Sequence, residues 1–440
     1  MKLILAFSFI IVTAAAPQAW AQPDTLRLGE LQLAAERADR RAAQRELLQA
    51  QSRLRQESFG AERLPSIMLL GQGQYLSDVP SVRALLPAGL APSDPPHDNY
   101  DAYLGARQRL YDPSLAPRRA VERAQLAESE ARLGSTLFAQ RLAVNEAFFA
   151  ALLLDAQRET LEAGITDLEA QRRLAGERVA AGAALPSEAA AIEAELIRRQ
   201  QSTATLAADR EAAREVLGTL VGRVIGTATV LELPEDASAG ADSARPITAV
   251  RPDSAGRRAT RPEFEQFARG RDLLAERRAA AAAQDRPRVS AFGRAGYGRP
   301  GLNPLAREFD TFWLAGVQLE WSPWNWGTTR REQQELALQA QILSSEEAAF
   351  AASLDRALIR ARASIAHLEQ SLAQDDRIIA LHEGILRETR LRFTEGTVTA
   401  AEYVDRQTDV LTSQLARATR RVQLAEARAR LLTTLGLEVR

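Results

Sequence analysis

Arg178-Val179-Ala180-Ala181-Gly182-Ala183-Ala184-Leu185-Pro186-Ser187-Glu188 closes one long helical run and opens another, and Arg392-Phe393-Thr394-Glu395-Gly396-Thr397-Val398-Thr399-Ala400-Ala401-Glu402 does the same nearer the C-terminus. Gly182 suits a left-handed helix end, while Pro186 and Ser187 suit the first turn of a following helix. The two stretches superpose Arg178, Gly182 and Glu188 on Arg392, Gly396 and Glu402 at an offset of 214 residues. Tyr111-Asp112 and Trp324-Asn325 agree at an offset of 213. Internal duplication explains both, with residues 22–230 as a first repeat and 261–440 as a second.

The helices that meet at these tips are unusually long. From Ser114 to about Ala181 no proline follows Pro117, and at 1.5 Å per residue such a helix extends about 100 Å, well beyond the helices of a compact domain. Leu126, Leu133, Leu137, Val144 and Phe148 recur at spacings of seven, four, seven and four, a coiled-coil seam that needs partners along its length.

Four short segments break the helical pattern: 64–75, 100–111, 288–297 and 311–321. They hold aromatic and β-branched residues in alternation, and they come as two pairs. Val289, Ala291, Ala295 and Tyr297 share a face opposite Arg288, Ser290 and Arg294. Trp313, Ala315, Val317, Leu319 and Trp321 oppose Gln318 and Glu320, and Ala102, Leu104 and Ala106 oppose Arg107 and Arg109. An apolar band with aromatic ends fits lipid-facing strands; an amphipathic hairpin on a soluble core is the other reading. Loops 77–99 and 298–310, rich in Pro, Gly and Asp, are assigned to the extracellular side, and 231–260 reads as a linker.

Met1-Lys2, an apolar run from Leu3 to Val12 and Ala19-Trp20-Ala21 have the order of a secretory signal peptide cleaved after Ala21. No apolar stretch of eighteen residues without charges follows, so any membrane crossing is expected from a barrel rather than a helix. With no Cys there is no disulfide, no thiolate metal site and no lipidated N-terminal Cys. The 56 basic and 57 acidic residues give no global bias toward nucleic acid. His97, His367 and His382 lack ligand spacing, and neither a phosphate loop nor a nucleophile elbow occurs, so neither an enzyme nor a bound cofactor or metal is expected.

A repeated unit of helix, strand pair, very long helix, glycine tip and returning helix resembles the TolC-like outer-membrane efflux family over most of residues 22–440. Leu64-Pro65 opening a strand and Trp321-Ser322-Pro323-Trp324-Asn325-Trp326-Gly327 ending one carry it further. The resemblance implies a homotrimer whose chains each give four strands to a twelve-stranded barrel in outer-membrane lipid, continued by a coiled-coil tunnel through the periplasm. It also implies a periplasmic adaptor (membrane fusion protein) and an inner-membrane pump as partners, in tripartite efflux or type I secretion.

By the same resemblance, Glu188, Glu402 and Asp405 line a constriction where the tips approach the threefold axis; the alternative is that they are favourable first-turn acids. Arg178, Gly182, Ser187, Arg392 and Gly396 form the tip turns that an adaptor docks on, and Arg107, Arg109, Arg294 and Glu320 face the barrel lumen. Val398 departs from members that carry a basic residue there. A soluble periplasmic coiled-coil adaptor or scaffold is the competing class; it would have one helical hairpin, not two equivalent ones each preceded by strands.

Overall fold

The computed structural model describes residues 25–79, 96–234, 260–303 and 307–439. The signal segment 1–21, most of loop 77–99 and most of linker 231–260 lie outside them.

Each half of the chain has the same order. In the first, α1 (Leu28–Ala38) and α2 (Gln44–Ala61) lead to β2 (Ser66–Tyr75) and β3 (Asp98–Tyr111), then α3 (Leu115–Ala180) and α4 (Pro186–Val221). In the second, α5 (Pro262–Gln284) leads to β5 (Arg288–Arg299) and β6 (Asp310–Glu320), then α6 (Thr328–Thr394) and α7 (Ala400–Leu435). The long helices have 66 and 67 residues and the returning helices 36 each. The strands begin or end within two residues of the bounds expected from alternation.

The four long strands form one antiparallel sheet in the order β2-β3-β5-β6, leaving β2 and β6 as unpaired edges among the described residues. Its register aligns Leu69, Leu104, Ala295 and Trp313 in one row and Ile67, Ala106, Gly293 and Ala315 in the next. This face is apolar and open: Leu69 is 82% and Trp313 76% exposed. Gly296 lets strands β3 and β5 approach closely, since a Cβ there would stand 2.4 Å from the Ala102 carbonyl oxygen. Between Arg109 and Tyr111 the register slips, and Tyr111 pairs with Val289, so strict alternation breaks at this end of β3.

A short parallel pair, β1 (Thr25–Leu26) with β4 (Val230–Leu231), sits at mid-length, where α1, α3, α4 and α7 enclose a core built on Val144, Phe148, Phe149 and Ala151. Buried Asn145 accepts from Gln32 at 2.6 Å and donates to Thr433 at 3.0 Å, tying the N-terminal helix to the C-terminal one. Of the expected seam, Leu133, Leu137, Val144 and Phe148 are buried, and Leu126 is half-buried. Past the signal region no charge-free apolar stretch of eighteen residues occurs, but with one or two charges admitted α3 holds an eighteen-residue stretch of mean hydropathy 1.4, long and apolar enough to cross a membrane by composition alone. Its Val144, Phe148, Phe149 and Ala151 are at most 1% exposed and pack against other helices, which accounts for the apolar content.

Candidate functional site: the paired helix tips and the polar face of the sheet

Both tips close by the same backbone device. The Ala183 amide donates to the Arg178 carbonyl at 2.8 Å, and the Thr397 amide donates to that of Arg392 at 2.9 Å. Gly182 and Gly396 take φ of +71° and +76°, the left-handed position that this closure requires and glycine reaches without a Cβ clash.

The helices that follow start differently. Pro186 occupies the first turn of α4 with no side-chain cap, and Ser187 is exposed. On α7 the Thr399 hydroxyl accepts from the Glu402 amide at 3.2 Å. Glu188 and Glu402 are half-buried in the first turns of their helices and Asp405 is exposed, placements that serve a helix start as well as a constriction.

Residues from both hairpins join the tips. Arg178 donates to the Phe393 carbonyl at 3.1 Å and lies over its ring, 5.4 Å from the centroid, capping the end of α6 from across the interface. The Phe393 ring stacks on Tyr403 at 5.2 Å, and both fall in a core with Leu168, Ala175, Ile192, Leu196 and Ala400. Val398, where the resemblance anticipated a departure, packs against this core. Arg392 is exposed.

Composition did not point to the polar hub above that core. Asp167 on α3 accepts from Arg390 at 2.8 Å, from Tyr403 at 3.5 Å and from Gln407, gathering both helices of the second hairpin on one carboxylate of the first. Tyr403 is fully buried, and burial, helped by the Asp167 charge, pushes its hydroxyl up to about 12. One signal was available: the other five tyrosines lie in or beside the strands, and Tyr403 is the sixth.

The second polar region is the face of the sheet opposite the apolar one. Arg107, Arg109, Arg294 and Glu320 share it, in register rows Arg107–Phe292–Gly316, Arg109–Ser290–Gln318, Gly105–Arg294–Leu314 and Arg288–Glu320. Arg109 is tied down at the junction with the helices, donating to Glu62 at 2.5 Å and lying 3.4 Å from Asp112. The hydrogen bonds from Arg118 and the charges of Arg118 and Arg109 hold Glu62 below its usual carboxylate range. Burial raises Asp112, but hydrogen bonds from Ser114 and the charges of Arg288 and Arg109 outweigh it and leave the group lowered. Among the described residues no cluster of three metal-ligating side chains occurs.

No protein-family model matches the chain, and none of the curated proteins matches it. Solved structures do. The outer-membrane channel OprN is 17% identical over 93% of this chain and 89% of its own, with a TM-score of 0.65. CusC, described as forming a transmembrane channel, is 15% identical over 93% of this chain and 92% of its own, at 0.67. The open-state MtrE outer-membrane channel of Neisseria gonorrhoeae is 18% identical over 94% and 89%, at 0.63. Along nearly its whole length, sheet and both hairpins included, this chain has the fold of the TolC-like outer-membrane channels.

Proposed function

We propose that the chain is the outer-membrane exit duct of a tripartite efflux or type I secretion system, a passive homotrimeric channel without catalytic chemistry. One observation carries the reading: a sheet with an open apolar face and, among the described residues, two unpaired edges continues into two helices about 100 Å long, each turned back at its tip by a returning helix of 36 residues. Lipid accepts such a face, but it does not accept free strand edges. Three copies, pairing β6 of each with β2 of the next, would satisfy every edge in one twelve-stranded barrel. The apolar face and the second strand pair weigh against a soluble adaptor. A periplasmic adaptor and an inner-membrane pump are the partners this reading requires, with export under the N-terminal signal.

At the far end, the hub on Asp167 would hold the inner and outer hairpins of each copy together, with Glu188, Glu402 and Asp405 ringing the closed tip. The test is native mass and planar-bilayer conductance of the purified membrane fraction. The expected result is a trimer of small conductance, which rises when Asp167→Ala releases the second hairpin and loses cation preference in Glu402→Ala/Asp405→Ala. A soluble monomer that conducts nothing would overturn the reading.

A further inference from the structure

The polar face of the sheet carries an ordered charge pattern. Counting from the helix junction toward the loops, its rows present Arg288, then Arg109, then Arg107, then Arg294, one arginine in each of four consecutive rows. Same-face residues two apart lie roughly 6.6 Å apart, so the arginines climb about 20 Å of the sheet. Glu320, the Cα partner of Arg288, is the one acidic side chain in those rows. The next row, Leu70–Tyr103–Gly296–Phe312, has no charge, and the row beyond it brings Asp101 and Asp310 together across Gly298.

The lower and upper arginines differ in their partners. Arg109 and Arg288 face Glu62 and Asp112 at the junction, Arg288 at 3.9 Å, and are largely neutralised there. Arg107 has no ion-pair partner among the described residues, and Arg294 sits over the Tyr103 ring at 5.3 Å with no carboxylate beside it. Stacking fixes the position of the Arg294 charge without cancelling it. Below them a cavity of about 850 Å³ opens between sheet and helices, bordered by Arg107, Arg109, Arg118 and Arg288 and by the carboxylates of Glu62, Asp112 and Glu320, so its excess positive charge lies toward Arg107.

Resting on the duct reading above, we infer that this arginine stair is an anion-handling segment of the conduit, and that its cargo carries acidic groups such as carboxylate or phosphate. Threefold repetition places the unneutralised guanidinium groups around one lumen whose low-dielectric walls focus their field, so the potential there is larger than on an open surface. Steps of about 6.6 Å are within the Debye length of roughly 8 Å at physiological salt, so an anion leaving one row already feels the next. Guanidinium forks suit carboxylate and phosphate oxygens in particular. The duct then alternates in sign along its length, carboxylates at the tip, guanidinium groups in the barrel and the Asp101–Asp310 row beyond them, and the tip masks the arginines in the resting channel.

The experiment therefore removes the tip filter first. In the full-length protein carrying Glu402→Ala/Asp405→Ala, planar-bilayer recordings under a tenfold KCl gradient measure the chloride-to-potassium permeability ratio, and inorganic tripolyphosphate serves as the blocking anion. The ratio is expected to exceed one, and tripolyphosphate is expected to block. Adding Arg107→Gln/Arg294→Gln should bring the ratio to one or below and raise the blocking concentration at least tenfold. Arg107→Lys/Arg294→Lys, which keeps the charge, should restore the chloride preference. Conductance with a ratio and block indifferent to both substitutions overturns this inference alone, whereas a protein that forms no conducting trimer overturns the duct reading and this inference with it.

Discussion

The two helix tips have one backbone and two chemistries. Gly182 and Gly396 close them with the same left-handed residue and the same hydrogen bond five residues back. Around that scaffold, counterpart positions differ: Tyr403 stands where the first tip has Ala189, Arg390 where it has Gly176, and Asp167 where the second has Leu381, which is 67% exposed. Arg178 caps the foreign helix end, whereas its counterpart Arg392 is exposed. Each hairpin supplies what the other lacks, so the tips lock to each other instead of repeating one self-contained turn. Damage to the shared backbone should therefore be equal in the two tips, and damage to the side chains should not.

The largest effect falls on the side chains. Tyr403→Ala removes a fully buried ring stacked on Phe393 and should cost about 3 to 5 kcal/mol locally, read as faster hydrogen exchange in 400–410 and in 386–394. Equal protection in the variant and the parent would mean that the tips do not depend on this contact.

Alkaline pH probes the same group without a cavity. The Tyr403 hydroxyl is raised from 10.0 to about 12, so folding favours its protonated form. That contribution is complete below pH 10 and is lost as pH rises toward 12, about 2 to 3 kcal/mol in all. Tyr403→Phe should flatten this part of the stability profile between pH 10 and 12. An unchanged slope would place the titration on another group.

How much of this was legible depended on whether it was local. Strand bounds, the shared face of Arg107, Arg109, Arg294 and Glu320, and both glycine tips follow from alternation or from a left-handed residue, which neighbouring side chains determine. The register slip before Tyr111 was not legible, because one irregularity overrides strict alternation beyond it. The Asp167 hub joins residues 223 to 240 positions apart, and the rotation of one long helix against another leaves no mark in either sequence alone. Nor could composition separate a core stretch of α3 from a membrane span, since Phe148 and its neighbours satisfy both.

The backbone half of the comparison is tested by the glycines. Nothing lies within 4 Å of a Cβ built on Gly182, and on Gly396 the nearest atom is Nη2 of Arg178 at 3.7 Å, an ordinary contact. Neither site has a steric obstacle, so Gly182→Ala and Gly396→Ala should each lose about 1 to 2 kcal/mol from left-handed strain alone. Hydrogen exchange at the two turns should change by the same factor. A loss confined to one tip would show that the two turns are not equivalent.

The smallest effect discriminates best, because it compares residues that composition treats alike. Ser187 and Thr399 are both hydroxyl residues at a tip, and both are natural first-turn caps. Only Thr399 accepts a helix amide, that of Glu402, while Ser187 lies one residue beyond Pro186 with its α4 start uncapped by any side chain. Proline has already removed one of the unpaired amides there and preset the backbone angle, so a hydroxyl has less to contribute. Thr399→Ala should therefore cost about 1 kcal/mol and loosen the first turn of α7. Ser187→Ala should stay within about 0.5 kcal/mol, as for an ordinary surface change. Equal costs would mean that Ser187 caps α4 in solution and that the starts of the two returning helices are as alike as the ends of the helices before them.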